Sequence, residues 1–328
     1  MQDGMRAAAQ GAPATSSTYV CSLVIPTKDA GPLFKRVIAG LQAQTCWDQV
    51  EFIIVDSQSS DDTVEVARAA GAKVFAIPAA EFNHGATRDF AISHANSNNV
   101  ILMVQDAVPD NPRTLERLVA ALQEDKVAGV YARQIPQPDA DVITARNLNM
   151  HLTGRTERDT HAITSPAAFE AMTPMEKYVF CNFDNVCSAL RKDAWEQERF
   201  GRCSFGEDID WAERVLKRGY KVIYEPAAAV VHSHDRPMAY EYKRAYVCHR
   251  KLVSQFGLRI FPTYLSVLHG WYHMTKADMG YIWRTEHNLG RKIAWLLKIP
   301  FLNYLRVLGQ YEAVRDIDAG TAKTVRGV

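Results

Sequence analysis

Residues 20–56 read VCSLVIPTKDAGPLFKRVIAGLQAQTCWDQVEFIIVD, and this stretch predicts the fold class. Two short apolar runs, residues 20–25 and 50–55, are each followed by polar or turn-forming residues, as buried strands are. Between them, residues 32–44 have apolar side chains at the spacing of an amphipathic helix, with Pro32 near its start. A strand, a helix and a second strand in this order predict two parallel strands joined by a crossover helix.

The same alternation continues as far as residue 132. It predicts further helices over residues 63–70, 87–95 and 113–123, and further strands over residues 73–77, 100–104 and 127–132. Alternating strands and helices are typical of an α/β protein with a mainly parallel sheet covered by helices on both faces. Residues 140–180 have weaker periodicity, and we expect them to form loops and helices over the site. After residue 235 the pattern is helical.

Charge is distributed unevenly along the chain. The 328 residues have a formal net charge of +1, but residues 1–235 carry −8 and residues 236–328 carry +9. We therefore expect a flexible leader over residues 1–18, an acidic domain over residues 19–235 and a basic, aromatic-rich helical region over residues 236–328. The leader has no apolar segment of a secretory signal, and the six cysteines form no C-x-x-C pair. Both features predict a cytoplasmic protein with reduced thiols.

Polar residues follow several of the predicted strands, at the edge where α/β sheets bind ligands. They are Thr27, Lys28, Asp56, Ser57, Gln105 and Asp106. None belongs to a G-x-G-x-x-G or P-loop sequence, so neither a dinucleotide site nor a P-loop is predicted. A nucleotidyltransferase would need a glycine-rich loop with Arg or Lys after the first strand, and residues 26–31 read PTKDAG instead.

Two motifs contain candidate metal ligands. Residues 104–109, VQDAVP, put Asp106 just beyond a buried strand, where a carboxylate can hold Mg²⁺ or Mn²⁺ against a diphosphate. The alternative is an aspartate that begins a turn before Pro109. Residues 230–235, VVHSHD, put His232 and His234 two positions apart, so an extended backbone points both rings to one side. Histidines at this spacing are either metal ligands or structural residues.

Two further motifs carry charged side chains at predicted helix starts. In residues 205–220, FGEDIDWAERVLKRGY, the carboxylates of Glu207, Asp208 and Asp210 crowd the first turn, which fits either helix capping or a general base. In residues 81–90, EFNHGATRDF, His84 and Arg88 lie around a helix start. Arg88 suits phosphate recognition because its guanidinium binds in a bidentate manner, and an ordinary surface arginine is the alternative.

Taken in this order, the motifs resemble those of the family 2 glycosyltransferases, which have the GT-A fold. The resemblance covers residues 20–235 through CSLVIPTKDAG, EFIIVDSQSSDDT, VQDAVP, FGEDIDWAERVLKRGY and VVHSHD. EFNHGATRDFA and VQDAVP are most similar to the bacterial rhamnosyltransferase branch, whose usual donor is dTDP-L-rhamnose. The resemblance implies an inverting transferase that moves a sugar, L-rhamnose first of all, to a hydroxyl of a glycan or lipid-linked glycan in cell-surface polysaccharide synthesis. A UDP- or GDP-linked donor is one alternative, and a non-catalytic carbohydrate-binding or scaffold protein is another.

The resemblance also implies roles for individual residues. Asp208 would be the catalytic base, and a divalent cation, Mg²⁺ or Mn²⁺, would be held by Asp106 and His232, with His234 as second choice. The donor-binding residues would be Pro26, Thr27, Asp56, Ser57, His84, Arg88, Gln105 and Asp106, and Arg88 would face the diphosphate. The acceptor-binding residues would be Asp184, Asn185, Arg191 and Glu207. One motif departs from the family, because its Asp-x-Asp reads Gln105-Asp106-Ala107 here. A single carboxylate predicts a loosely held cation.

The basic tail contains three of the six tryptophans and eight of the 13 tyrosines. In residues 292–309, KIAWLLKIPFLNYLRVLG, cationic side chains lie among apolar ones, and we expect Pro300 to divide the stretch into two short helices. Such helices suit an anionic membrane surface, here the inner face of the cell membrane. Packing on the catalytic domain or a homodimer is the alternative. A nucleic-acid partner is not expected, because the body is acidic and has no recognition motif.

Overall fold

The computed structural model describes residues 19–203 and 205–321. The strands are β1 (Cys21–Thr27), β2 (Val50–Asp56), β3 (Lys73–Ala76), β4 (Asn99–Met103), β5 (Val108–Pro109), β6 (Val127–Ile135), β7 (Asp159–Ala162), β8 (Cys187–Arg191) and β9 (Lys221–Val231). The α-helices are α1 (Gly31–Gln42), α2 (Thr63–Ala69), α3 (His84–Ser93), α4 (Thr114–Leu122), α5 (Val142–Met150), α6 (Pro166–Glu170), α7 (Pro174–Phe180), α8 (Lys192–Gln197), α9 (Glu207–Lys217), α10 (Met238–Phe256), α11 (Tyr264–Thr285) and α12 (Leu289–Asp318).

The first half of the sheet is parallel, as the sequence predicts. Strand β1 pairs in parallel with β2, from Cys21 opposite Val50 to Thr27 opposite Asp56. Strand β1 also pairs in parallel with β4, and β2 pairs in parallel with β3. Side chains of β1 alternate between two cores. Leu23 and Ile25 pack against α1 on one face, whereas Val24 packs on the other face among side chains of α3, α8 and α9. Burial on both faces explains the continuous apolar run in the sequence.

The second half of the sheet is mixed rather than parallel. The full order is β3-β2-β1-β4-β8-β6-β9-β5, with β7 paired to β9. Strand β8 is antiparallel to both β4 and β6, and Met103 at the end of β4 lies opposite Cys187 at the start of β8. The residues that precede β8 therefore lie at the same edge as those that follow β4. The five residues of β8, CSALR, contain no signal for strand direction, so the sequence did not predict this reversal.

Helices α10, α11 and α12 form the C-terminal region, and α12 corrects one prediction. Pro300 does not divide it, because α12 continues from Leu289 to Asp318 with the proline inside. A proline inside a helix costs about 3 kcal/mol. Buried contacts of Ile299 and Leu302 with Ile282 lie on both sides of it, and the Trp271 indole N–H donates to the Pro300 carbonyl at 2.8 Å. This tertiary packing outweighs the local cost.

None of the helices in the described part of the chain combines the length and the hydrophobicity that crossing a bilayer requires. All six cysteines are free thiols, and four of them are buried.

Candidate active site

The loops that follow β1, β2 and β4 are tied together by side-chain hydrogen bonds. The Thr27 hydroxyl donates to Asp56 at 2.9 Å, and the Ser59 backbone N–H donates to the same carboxylate at 2.9 Å. Gln105 accepts from the Lys28 N–H at 2.8 Å and donates to the Lys28 carbonyl at 3.0 Å. The three strand ends thus form one edge, and Pro26 and Ser57 belong to it. The structure brings these five predicted donor-binding residues, Pro26, Thr27, Asp56, Ser57 and Gln105, together.

Backbone strain occurs in the loops that follow β1 and β2. Asp29 has φ = 42° and Gln58 has φ = 64°, both in the left-handed region that residues with a Cβ rarely adopt. Each such conformation costs on the order of 1 kcal/mol and persists only where surrounding contacts enforce it. Here Asp29 accepts hydrogen bonds from the backbone N–H and the hydroxyl of Ser60. Strain of this kind is typical of ligand-binding loops.

Asp106 and the two histidines of the VVHSHD motif converge beyond the ends of β4 and β9. The Nε2 atoms of His232 and His234 lie 3.5 Å and 3.1 Å from the two carboxylate oxygens of Asp106. One ligand atom from each of the three residues lies within 4.8 Å of the others. Both histidines follow the strand rather than lie in it, yet their rings are only 4.8 Å apart. The three side chains form a cluster that suits a cation.

Gln134 of β6 fixes the orientation of His232. The Gln134 amide N–H donates to Asp184 at 2.7 Å, so its carbonyl oxygen faces His232. That oxygen lies 3.0 Å from Nδ1 of His232 and can only accept, so Nδ1 carries the proton and Nε2 presents a lone pair toward Asp106. Sequence reasoning missed Gln134, because a glutamine within an apolar strand has no distinctive motif.

The ionisation states in this cluster suit cation binding. Burial lowers the pKa of His232 to about 4, so its imidazole is neutral at neutral pH. Burial alone would raise the pKa of Asp106, but the hydrogen bond from His234 and the closeness of both imidazole rings lower it below its usual range. A carboxylate with two imidazoles is a donor set that Mn²⁺ or Mg²⁺ accepts when phosphate oxygens complete the shell.

The EFNHGATRDF motif anchors the loop that leads into the acidic helix α9. Asn83 caps α3 by accepting from the Ala86 N–H, and it also accepts from the Cys203 N–H at 3.1 Å. Asp89 accepts from the Trp195 indole and from the backbone N–H groups of residues 200 and 201. Gly85 is required because a Cβ there would lie 2.0 Å from the Gly201 carbonyl oxygen. Helix α3 therefore fixes the positions of residues 200–203, and its Arg88 contacts Glu207 at the start of α9.

Arg88 and Glu207 complete this anchor as a buried ion pair. The Arg88 Nη1 lies 2.7 Å from Glu207 Oε1, and both side chains are only 6% exposed. Burial alone would raise the pKa of Glu207, but the charges of Arg88 and His84 hold it below its usual value. Asn185 donates to the same Glu207 oxygen at 3.3 Å. Arg88 is thus engaged beneath the cleft surface, and its contact with a donor diphosphate stays a prediction.

Asp208 lies next to this pair at the start of α9, and it is half-buried. Burial, together with the negative charges of Glu207 and Asp184, raises the pKa of Asp208 to about 8. Burial also raises the pKa of Asp184. The groups that face Asp208 from neighbouring elements are Glu207, Asp184, Arg88, Tyr178 and Cys248. A carboxylate with a raised pKa is a stronger base once it is ionised, which suits proton abstraction near neutral pH.

Comparison with known proteins identifies the family of the chain. Residues 22–197 match the sequence profile of the glycosyl transferase family 2, which is more than half of the chain. The chain belongs to the family 2 glycosyltransferases. It is 30% identical over 227 residues to the O-antigen chain rhamnosyltransferase RfbN of Salmonella typhimurium, covering 68% of this chain and 69% of that protein. It is 31% identical over 231 residues to the O-antigen chain rhamnosyltransferase WbaN of Salmonella anatum, with the same two coverages.

Solved structures show the same fold at low identity. The mannosyltransferase PcManGT from Pyrobaculum calidifontis, in complex with GDP-Man and Mn²⁺, superposes with a TM-score of 0.53 at 16% identity and covers 90% of this chain and 88% of its own. The glucosyl-3-phosphoglycerate synthase from Mycobacterium tuberculosis, in complex with UDP, has a TM-score of 0.50 at 18% identity, with coverages of 75% and 82%. These likenesses confirm the GT-A class of this glycosyltransferase.

The predicted acceptor residues of the glycosyltransferase do not all lie together. Asp184 and Asn185 precede β8 at the site edge, and Asn185 reaches Glu207. Arg191 lies at the other end of β8, opposite Asn99 at the start of β4, where it pairs with Asp193. Five residues of an extended strand separate the two ends by roughly 13 Å. The structure therefore does not bring Arg191 to the cleft.

We predict that the Arg88 and Glu207 pair is needed for stability as a unit. Arg88→Met or Glu207→Met alone should lower the free energy of unfolding by about 3–5 kcal/mol, because each leaves a buried charge unpaired. The double substitution should cost much less than the sum. Chemical denaturation of all four proteins measures this coupling, with the exposed pair Arg113 and Glu116 as control, where Arg113→Met should cost under about 1 kcal/mol. Unchanged stability of Arg88→Met with weakened donor binding would contradict the structural role.

Proposed function

We propose that this glycosyltransferase transfers L-rhamnose from dTDP-L-rhamnose, with inversion, to a hydroxyl of a glycan or lipid-linked glycan acceptor in O-antigen synthesis. The observation that carries the proposal is the pairing of two groups in one cleft. Asp208 is a carboxylate whose pKa is raised in part by the nearby charge of Asp184. Asp184 accepts a hydrogen bond from Gln134, and Gln134 accepts one from His232, which lies beside Asp106. A base and a cation cluster in this relation suit a single displacement at an anomeric carbon. The names of the relatives support rhamnose as the sugar.

The residues of the chain divide the work between two sides of the cleft. On one side, the edge formed by Thr27, Asp56 and Gln105 would hold the base and ribose of the donor. On the other side, Asp208 would accept a proton from the acceptor hydroxyl at one of its carboxylate oxygens. The oxygen of the deprotonated acceptor hydroxyl can then attack the anomeric carbon of the sugar, while the nucleotide diphosphate leaves from the opposite face. The reaction needs no covalent link between sugar and enzyme.

Asp106, His232 and His234 would hold a divalent cation, Mg²⁺ or Mn²⁺. When bound, the cation would supply positive charge that stabilises the departing diphosphate. Gln134 would keep Nε2 of His232 available by holding the proton on Nδ1. The single carboxylate in this set favours a weakly bound ion over a tight structural one.

Thermal unfolding with a panel of nucleotide sugars tests the donor and the cation together. We expect dTDP-rhamnose with Mn²⁺ to raise the melting temperature, since a ligand at 100 times its Kd adds about 2.7 kcal/mol of stability. The increase should fall sharply with EDTA and in Asp106→Asn or His232→Ala, and persist in the control His287→Ala, whose side chain is exposed between α11 and α12. Stabilisation by UDP- or GDP-sugars alone would overturn the donor assignment. Absence of cation-dependent dTDP release with any acceptor would favour a non-catalytic carbohydrate-binding protein.

We predict that Asp208 sets the lower pH limit of transfer. Only the ionised carboxylate accepts a proton, so kcat/KM should rise tenfold per pH unit below a midpoint of about 8 and level off above it. Asp208→Asn should abolish transfer while donor binding stays within about twofold of wild type. The control is Asp210→Asn, two residues later in the same helix and paired with Lys251, which should keep both the rate and the midpoint. Loss of donor binding in Asp208→Asn would remove the base assignment.

The C-terminal region presents an apolar surface that we propose contacts the inner face of the cell membrane. This surface, the apolar stripe, consists of exposed side chains on two helices: Leu265, Leu268, Tyr272, Met279 and Trp283 on α11, and Leu289, Ile293, Leu297 and Phe301 on α12. Five of them are at least 66% exposed, which is unusual for large apolar residues on a free surface. The Lys292 ammonium lies 5.1 Å from the Trp283 ring centre, so the two helices meet there.

The charges around the apolar stripe favour an anionic membrane over a second copy of the chain. Residues 260–301 contain five Lys and Arg residues but only two carboxylates. One of these, Asp278, is buried with Arg146 and Asn303 and does not neutralise the surface. A symmetric dimer would bring like charges together, whereas anionic lipid contributes about 1 kcal/mol of attraction per nearby cation.

Vesicle sedimentation tests this surface. The protein should sediment with vesicles of phosphatidylcholine that also contain the anionic lipid phosphatidylglycerol. It should sediment less with vesicles of pure phosphatidylcholine, or at high salt. The double substitution Trp283→Ser and Leu297→Ser should reduce vesicle binding at least tenfold, because it removes two large, highly exposed apolar side chains. Met175→Ser, at an exposed apolar position on α7, is the matched control. A concentration-dependent dimer that the same double substitution abolishes, without vesicle binding, would contradict the membrane assignment.

A further inference from the structure

Helix α10 of the C-terminal region runs beside the acidic helix α9 and in the same direction. Lys251 pairs with Asp210 at 3.0 Å, and four residues later Gln255 donates to Glu213 at 2.6 Å. Because both contacts advance along both helices, the first half of α10 extends past the start of α9. Arg244 precedes Lys251 by seven residues, or about 10 Å of helix, whereas Asp208 precedes Asp210 by only about 3 Å. Arg244 therefore lies beyond the first turn of α9, over the mouth of the cleft.

The effect of the Arg244 charge on the pKa values of other groups agrees with this position. Burial first, and then the charge of Arg244, lower the pKa of His151 to about 4. The same charge also acts on the pKa values of Tyr178 in α7, Asp184 before β8 and His232 after β9. These four groups come from four separate segments that border the cleft. A guanidinium that acts on all of them lies near each of these segments.

Arg244 has no partner of opposite charge among the residues that the structure describes. Its side chain is exposed, and no hydrogen bond or ion pair to it is present in the described ranges. The nearest carboxylates are already engaged: Glu241 binds Arg306 at 2.7 Å, and Asp184 accepts from Gln134 and from the Val186 N–H. Because Arg88 is paired with Glu207, Arg244 is a cation at this mouth that remains open to a ligand.

We propose that Arg244 binds a phosphate or diphosphate group carried by the acceptor. The proposal rests on the proposed function, since it extends the acceptor side of the same cleft. A guanidinium offers paired N–H donors that match phosphate oxygens. Asp184 and Asp208 would otherwise repel an anionic acceptor from the base that must reach its hydroxyl, and Arg244 offsets that repulsion. The donor diphosphate is the other source of the same chemistry, and it would lie nearer to Asp106.

Steady-state kinetics on the full chain separate these two sources. The acceptor is supplied as a glycan with a diphosphate at its reducing end and as the same glycan without it. Arg244→Gln should raise the acceptor KM about tenfold or more for the diphosphate form and under twofold for the other form. Donor KM and the slow hydrolysis of the donor without acceptor should stay within about twofold. Arg244→Lys should restore part of the affinity, and the neighbouring exposed Lys243→Gln should match wild type.

A parallel loss of donor affinity in Arg244→Gln would overturn the proposal in favour of the donor diphosphate. Equal losses with both acceptor forms would overturn it as well. A direct measurement is independent of turnover: inorganic pyrophosphate binding by calorimetry in EDTA, where the cation cluster is not engaged. Binding should be at least fivefold weaker in Arg244→Gln than in wild type, and equal binding would overturn the site even if the protein transferred no sugar. Because Arg244 makes no hydrogen bond or ion pair within the described ranges, the melting temperature of the variant should change little.

Discussion

Strand β8 lies antiparallel between β4 and β6, and the groups of the cleft meet because of this reversal. In a fully parallel sheet, residues 182–186 would begin a strand at the edge opposite Asp106. With β8 reversed, Asp184 comes to the same edge as the ends of β4, β6 and β9. The Asp184 carboxylate can then orient Gln134, and Gln134 can orient His232. The strand direction in the centre of the sheet thus determines which ring nitrogen of His232 carries the proton.

The cleft brings together more negative charge than a stable fold prefers. Glu207, Asp208 and Asp184 lie close together, and Arg88 neutralises only one of them directly. The sheet beneath compensates, since two large apolar cores enclose β1, β2 and β4 on both faces. Acidic side chains lie close together at the proposed active site, whereas apolar side chains fill the cores beneath it, as is expected of an enzyme. Arg244 of α10 adds positive charge at the mouth, and the near-neutral total of +1 is the sum of an acidic region and a basic one.

The sequence predicts the parallel half of the fold well because periodicity is a direct signal there. Predicted strands 50–55 and 100–104 differ by a single residue at one or both ends from β2 and β4. The convergence of Asp106 with His232 could not come from spacing, since 126 positions separate them; it came from resemblance to a family. Arg88 shows the limit of residue chemistry, because a guanidinium that suits phosphate suits a buried carboxylate equally well. Pro300 shows the limit of local rules, since tertiary contacts that the sequence does not reveal hold α12 together. Gln134 and Arg244 were not found because neither belongs to a motif, and only their surroundings distinguish them.

The anchor between α3 and the loop before α9 has a consequence for engineering and for the divergence of such enzymes. Four residues at or next to the start of α3 contact a segment that lies more than 100 positions later in the chain, residues 195–203 and Glu207. They are Asn83, Gly85, Arg88 and Asp89. The half with the proposed donor-binding residues and the segment with the proposed base are therefore joined by contacts that each depend on both sequences. A chimaera that exchanges one half between related transferases would separate these partners. Recombination that keeps α3 together with the loop and the first turn of α9 treats them as a single inherited module, although they are distant in the chain.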